Sequence, residues 1–198
     1  MGIQPTRDEA MELFLEHNKT ENLLKHALAV EAVMRHFAVL LNEDPEKWGI
    51  IGLCHDLDYE KYPEQHCTMT QKMLEEAKWP ADWIHAIMTH GWKLCTEVEP
   101  VLPMEKVIYT IDELTGLIMA AALMRPSRSL LDLELKSVKK KWKDHRFAAG
   151  VNRDVIQEGA DMLGMSLDQV ITETILGLRT AAKELGLEGD PSAQDLKE

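Results

Sequence analysis

The chain has 198 residues, of which 45% are hydrophobic and 28% are charged, ordinary values for a globular protein with a substantial core. Its 22 Lys and Arg residues against 34 Asp and Glu residues give a formal net charge of −12. This charge does not favour broad binding to nucleic acid, because such binding depends on basic side chains that neutralise phosphates.

The cysteines and the apolar stretches predict a cytoplasmic protein. Cys54, Cys67 and Cys95 form no CxxC pair and leave an odd number, which is typical of a reduced compartment rather than of a disulfide scaffold. The first residues, MGIQPTRDEAMELF, lack the basic and then apolar order of a signal peptide. The longest apolar-rich stretch, around residues 114–124, is too short to span a bilayer, so we expect no membrane partner.

Capping residues and apolar positions predict three helices in the first part of the chain. Thr6 is the predicted N-cap of the first helix, where acidic residues follow it. Residues 21–41 form the second helix, since their apolar side chains recur at helical spacing. Asp44-Pro45 predicts the start of a third helix that runs toward Cys54, because Asp caps free N–H groups and Pro suits the first helical position.

Prolines mark the helices that follow. Pro63 predicts one helix over EQHCTMTQKMLEEAK, and Pro80 predicts another over ADWIHAIMTHG, which Gly91 ends. A loop at Pro100 and Pro103 precedes a long helix at about 104–124, which is apolar nearly all round. A helix of this composition is expected to be buried.

The last third of the chain predicts further helices. RPSRS breaks the long helix, and the lysines of KSVKKKWKDHR fit the solvent-exposed face of a helix better than a nucleic-acid site. Two more helices are predicted at about 152–163 and 167–185, with Ser166 capping the second. The whole is predicted to be a single all-α domain over 1–188, with a core at about 20–125, a helical extension at 126–188 and a flexible tail at 189–198.

Some predicted core positions carry polar side chains that need partners. Between Val107 and Met124, the long helix has two charged residues, Asp112 and Glu113. Asp112 shares a stripe with apolar residues and therefore needs a cation, several hydrogen-bond donors or a metal ion. Glu113 is predicted to face water. His26 poses the same problem as Asp112, because it lies on the apolar side of the second helix.

The apolar run IIGLC ends in the doublet His55-Asp56, where a helix end can turn both side chains toward one point. Neutral imidazole and carboxylate are ligands of divalent metals such as Mn, Fe, Co, Ni and Zn. One metal ion would explain the burial of His26, the doublet and Asp112 together. The alternative is a separate hydrogen-bond partner for each buried side chain.

The order H…HD…D, with HALAVEAVMRHFA around the first histidine and GLCHDLDYEKYPEQH around the doublet, resembles the HD-domain superfamily of metal-dependent phosphohydrolases. DELTGLI, RPSRSLLDLELKSVKKKWKD and FAAGVNRDVIQEGADMLGM are similar to small bacterial HDIG-type proteins. The resemblance implies an HD-domain helical bundle with additional C-terminal helices. It also implies that a first metal ion is held by His26, His55, Asp56 and Asp112.

Some branches of that superfamily add two histidines and hold two ions, with the doublet aspartate as the bridge. His66 and His90 stand in the corresponding order here; the alternative is that they contact the substrate or the surroundings of a single ion. The resemblance thus implies one or two divalent ions per chain. The sequence also departs from the family's pattern: Leu57-Asp58 replaces Ile-Gly, and no GYP-type motif occurs, so cyclic-dinucleotide hydrolysis is not assigned.

Metal-activated water predicts hydrolysis of a phosphate ester of a small metabolite or nucleotide. Asp58 is a candidate general base, the alternative being an exposed acid at a helix end without a role. Lys61 is a candidate replacement for a lysine that the family usually carries where Tyr59 stands. Candidate phosphate contacts are Lys93, Arg125 and Arg128. An ordinary surface role is the alternative for each cation.

Two other functions stay open at this point. One is a di-iron HD-domain oxygenase, and the other is a non-catalytic, metal-containing regulatory module. The expected partner is a small phosphorylated substrate, and a homodimer is left open.

Overall fold

The computed structural model describes residues 2–190 and residue 193. Within these residues it contains nine α-helices and no β-strand, which confirms the all-α prediction. Most of the predicted flexible tail lies outside the described residues. The helices are α1 (Arg7–His17), α2 (Glu21–Leu40), α3 (Pro45–Leu53), α4 (Thr68–Glu76), α5 (Ala81–Met88), α6 (Pro103–Leu123), α7 (Leu135–Trp142), α8 (Arg153–Leu163) and α9 (Leu167–Thr180).

Local sequence sets several helix starts as predicted. Thr6 and Glu9 form a reciprocal capping box at the start of α1. Asp44 accepts hydrogen bonds from the first free N–H groups of α3. Ser166 and Gln169 form a second capping box at α9. These contacts involve residues at most three positions apart, and the sequence alone therefore specifies them.

Helices α2 and α6 form the centre of the bundle. Helix α2 packs against α3, α6 and α9, and α6 also packs against α8. One hydrophobic core runs through these contacts, and α6 is buried along most of its length, as predicted for a helix apolar nearly all round. Gly159 lets α8 approach α6 closely, because a Cβ atom there would lie 2.7 Å from the Cβ atom of Thr110. The centre of the bundle is thus tightly packed.

The helix predicted over EQHCTMTQKMLEEAK is broken in two. Pro63–Gln65 form a short 3₁₀ turn, and α4 begins only at Thr68. Between them, Cys67 adopts a left-handed backbone conformation with φ of 68°, which is uncommon for a residue other than glycine. The break leaves His66 outside any helix. A second 3₁₀ turn, Thr89–Gly91, follows α5 and contains His90.

Among the described helices, none combines the length and the apolar character that crossing a membrane requires. The last predicted helix, 167–185, is shorter in the structure, since α9 ends at Thr180 and turns continue to Gly186. Helices α7, α8 and α9 pack against α6. The single-domain assignment over 1–188 stays a prediction.

Candidate metal centre

Six polar side chains from five segments of the chain converge at one place. His26 lies on α2, and His55-Asp56 follow the end of α3. His66 lies at the break before α4, His90 in the turn after α5, and Asp112 on α6. All but His55 line a cavity of about 570 Å³, and the His55 side chain is completely buried beside them.

The first group of ligand atoms surrounds a common point. His26 Nε2 lies 2.9 Å from Asp112 Oδ1 and 3.2 Å from His55 Nε2. Asp56 Oδ2 lies 3.3 Å from His55 Nε2 and 3.6 Å from His26 Nε2. Ligands about 2.1 Å from one metal ion are separated by about 3.0–3.4 Å in octahedral or tetrahedral geometry. The four residues therefore fit a single ion.

A second group uses the other oxygen of the same aspartate. Asp56 Oδ1 lies 3.6 Å from His66 Nε2 and 3.5 Å from His90 Nε2. The two Nε2 atoms are 3.2 Å apart. Asp56 thus faces one pair of histidines with each carboxylate oxygen, as a residue that bridges two ions would.

Hydrogen bonds on the far side of the rings leave Nε2 free to bind a metal. His55 Nδ1 lies 2.8 Å from the carbonyl oxygen of Gly52, and His90 Nδ1 lies 2.5 Å from that of Ile87. A carbonyl oxygen only accepts, so each Nδ1 carries a proton, and in the neutral imidazole each Nε2 presents its lone pair. This arrangement is typical of histidines that bind metals, and the donor set fits a divalent cation.

The pKa values of the cluster show how strongly its members depend on one another. Burial alone would lower the pKa of His55, but the carboxylates of Asp56 and Asp112 outweigh burial and raise it well above its usual value. Burial opposes ionisation of the two carboxylates, yet neighbouring imidazoles, His55 foremost, hold the pKa of both well below the usual range. Such a cluster stabilises positive charge at its centre.

The HD-domain family model matches residues 23–144, more than half of the chain. The chain belongs to the HD-domain family. All six convergent residues lie inside the matched range, whereas α8 and α9 lie beyond it. No curated protein and no solved structure matches the chain significantly.

Family membership and two convergent groups of side chains, His26-His55-Asp112 and His66-Cys67-His90, together support divalent metal binding by this HD-domain protein. The type and the number of ions stay predictions, as does the HDIG subtype.

Asp58 and Lys61, the predicted catalytic residues, do not line the cavity. Asp58 is completely buried, not at an exposed helix end. Its carboxylate accepts hydrogen bonds of 2.8 Å from His66 Nδ1 and from the Thr70 N–H group. Asp58 therefore contacts the Nδ1 side of the His66 ring and lies outside the cavity. The Lys61 side chain donates instead to the carbonyl oxygen of Glu16.

The structure does not bring the predicted phosphate contacts to the site. The ammonium group of Lys93 pairs with Glu158 and lies 3.9 Å above the ring of Trp92. Arg125 pairs with Asp132 at 2.7 Å. Arg128 is exposed on the turn after α6. None of the three cations lines the cavity, so their substrate role lacks structural support.

The prediction that Glu113 faces water is wrong. Glu113 is half-buried and lines the cavity beside Asp112. Its Oε2 atom accepts a 3.2 Å hydrogen bond from the backbone N–H group of Asn152, 39 residues further along the chain. Burial and the nearby Asp112 carboxylate raise the pKa of Glu113. The sequence signal was weak, because adjacent residues on a helix usually diverge in direction.

The sequence also gave no reason to pair Cys67 with Cys95. Their sulfur atoms are 2.7 Å apart, and the Cys67 sulfur lies 3.7 Å from His90 Nε2. A Cβ atom on Gly91 would lie 2.6 Å from the Cys67 sulfur, so the contact needs glycine there. The hydrogen bond from the Cys67 thiol lowers the pKa of Cys95 to about 7. These thiols border the second group of ligand atoms.

Proposed function

We propose that this HD-domain protein is a metal-dependent phosphohydrolase that cleaves a phosphate ester of a small metabolite or nucleotide. The observation that carries the proposal is the orientation of Asp56, whose two oxygens face different groups of imidazole nitrogens. A two-ion site that clamps the attacking and leaving oxygens is a recurrent design of phosphatases. His26, His55 and Asp112 would hold one ion, and His66 and His90 the other.

Divalent ions at this site would supply a nucleophilic hydroxide near neutral pH and would withdraw charge from the phosphoryl oxygens. The protein's part is to hold and orient the ligands. The His55 and His90 side chains are 0% and 2% exposed and anchor the inner side of the site. The His26 and His66 side chains, at 25% and 19%, border its open side. A phosphoryl group would approach from that side.

Charge supports the binding of an anion here despite the acidity of the whole chain. Two divalent ions carry four positive charges, and Asp56 and Asp112 neutralise two of them. Phosphoryl oxygens bound directly to the ions would lie closer to this charge than to the carboxylates of Asp58 and Glu113, and a partly buried site strengthens the attraction relative to water. Binding of one phosphate group therefore needs no Lys or Arg.

The test is metal analysis combined with phosphate release. Protein purified without chelator or a metal-affinity tag should contain about two divalent ions per chain. After loading with Mn, Fe, Co, Ni or Zn, it should hydrolyse p-nitrophenyl phosphate with at least one of them. His55→Ala should contain fewer than two ions and lose the hydrolysis, and His145→Ala, at an exposed histidine away from the cavity, should keep both properties.

Three outcomes would contradict the proposal. Protein that binds none of the metals has no such centre. Oxygen uptake by the iron-loaded protein without phosphate release would favour the di-iron oxygenase. Bound metal that raises the melting temperature, without turnover of any phosphate ester, would favour the regulatory module.

A further inference from the structure

The cavity wall beyond the six ligand residues carries no positive charge. Among the described residues, no Lys or Arg lines this cavity. Apart from the proposed ligands, Glu113 is the one carboxylate among the described residues of this wall. Apolar side chains form much of the remaining wall, among them Leu23, Leu94 and Val151. The site thus has a metal-binding end and an apolar end with a single carboxylate.

This distribution limits the charge of a substrate. Two ions bound to Asp56 and Asp112 would leave two positive charges, and the bound hydroxide, the buried Asp58 and Glu113 would offset these charges further, so no positive charge is left over for a second anionic group. A second phosphate or a carboxylate on the same molecule would meet no positive charge and would be repelled by Glu113. The cavity therefore disfavours di- and triphosphates and carboxylate-bearing esters.

Glu113 is held in place as a hydrogen-bond acceptor. Its Oε2 atom accepts from the N–H group of Asn152, the residue that caps α8. Gly150 and Val151, just before Asn152, form part of the cavity wall. A carboxylate that already accepts one hydrogen bond retains further lone pairs, and these favour a donor such as an ammonium or a hydroxyl group.

Open space lies beside this carboxylate. Gly116 follows Glu113 by three residues and therefore lies on the same side of α6. A Cβ atom on Gly116 or on Gly150 would have no neighbour within 4 Å, and both glycines line the cavity. The space next to Glu113 can thus hold the part of a substrate that extends beyond the phosphate.

From these features we infer that the substrate is a phosphate monoester whose leaving group is partly apolar and carries an ammonium or hydroxyl group that donates to Glu113. The inference rests on the proposed phosphohydrolase function. It assigns Glu113 as the residue that selects the leaving group, and it makes the two metal ions the anchor for the phosphate.

Three phosphonates of similar length, which cannot be hydrolysed, test the inference by binding alone. They are 3-aminopropylphosphonate with an ammonium end, butylphosphonate with a methyl end, and 3-phosphonopropionate with a carboxylate end. Titration calorimetry with the Mn-loaded protein should give the tightest binding for the ammonium compound. The carboxylate compound should bind at least about tenfold more weakly. Equal affinities, the opposite order or no binding by any of them would overturn the inference.

Glu113→Gln is the variant that assigns the selection to this residue. Its amide oxygen can still accept from Asn152, so the loop keeps its attachment. The ammonium compound should lose most of its advantage and the carboxylate compound should bind more tightly. Loss of the negative charge acts on the phosphonate group of all three compounds, so each affinity is compared as a ratio to that of butylphosphonate, whose measurable binding shows that the metal site is intact. An unchanged preference in Glu113→Gln would overturn the role of Glu113.

The proposed function and this inference fail separately. Hydrolysis of p-nitrophenyl phosphate without any preference among the phosphonates would refute the inference alone. The ammonium preference without hydrolysis of any ester would refute phosphohydrolase activity, while the selectivity of the cavity for one anion and one donor would stand.

Discussion

Replacing Asp58 by Asn should weaken metal binding although residue 58 lies outside the cavity. The carboxylate accepts from His66 Nδ1 and from the Thr70 N–H group, each at 2.8 Å. An amide has one oxygen and cannot accept well from both donors while its NH₂ group faces one of them. His66 can relieve the clash by moving its proton to Nε2, which removes the lone pair that would bind the metal.

The expected magnitude follows from the loss of one partner of a metal-binding histidine. Such changes typically weaken metal affinity by about 10–100-fold, which is about 1.4–2.7 kcal/mol. Loss of a charge-assisted hydrogen bond in the interior should also lower the free energy of unfolding by about 1.5–3 kcal/mol. Mn²⁺ titration calorimetry measures the first quantity and urea unfolding the second.

Glu60→Gln is the matched control, since it makes the same carboxylate-to-amide change nearby. Glu60 is exposed and accepts hydrogen bonds from Lys19 and Thr20, away from the ligands. Its replacement should leave metal affinity unchanged. If Asp58→Asn binds Mn²⁺ as tightly as the unaltered protein does, Asp58 does not orient His66 and our account of the second group of ligands is wrong.

Three further predictions concern packing, pH and the loop beside the cavity. Gly159→Ala should lower the free energy of unfolding by about 1–3 kcal/mol, because its Cβ atom would overlap Thr110. Gly116→Ala, in open space, should leave that free energy unchanged or raise it. Equal changes in the two variants, measured by urea unfolding, would disprove this prediction. Without metal, the pKa of His55 is higher in the folded than in the unfolded protein, and this difference stabilises the fold. The stabilisation is complete below pH 6.5, the pKa of the unfolded state, and is lost as pH rises through the pKa of the folded state. With saturating Mn²⁺, stability should instead increase with pH, since metal binding needs neutral imidazole. Melting curves in chelator and in Mn²⁺ at about pH 6–9 measure both trends, and the same trend in both would contradict this prediction. Arg153→Met should increase hydrogen exchange over residues 143–152, because the guanidinium donates to four carbonyl groups around that loop; unchanged exchange would contradict this role.

Features of the fold that depend on neighbouring residues, or on the order of motifs along the chain, can be predicted from the sequence. The caps at Thr6 and Ser166 involve residues three positions apart. The long helix is buried because its composition leaves little alternative. The sequence also placed His26, the doublet and Asp112 at one site, and the structure brings these side chains together; their role as metal ligands stays a prediction.

The failures come from contacts that join distant parts of the chain. The left-handed Cys67 breaks a helix that Pro63 predicted, and the break is stabilised because Asp58 binds both His66 and Thr70. Glu113 turns to the cavity wall because of a backbone group 39 residues away. No periodicity along the sequence carries that information.

The order of the ligands along the chain has a consequence for the amount of folded protein. The proposed ligands span residues 26 to 112 and come from five segments, so a bound ion would cross-link parts of the chain that are far apart in sequence. An ion present at 100 times its dissociation constant would add about 2.7 kcal/mol to the stability of the folded state. Chains made during metal starvation would lack this cross-link and would be degraded sooner, so the cellular level of this protein should follow the metal supply.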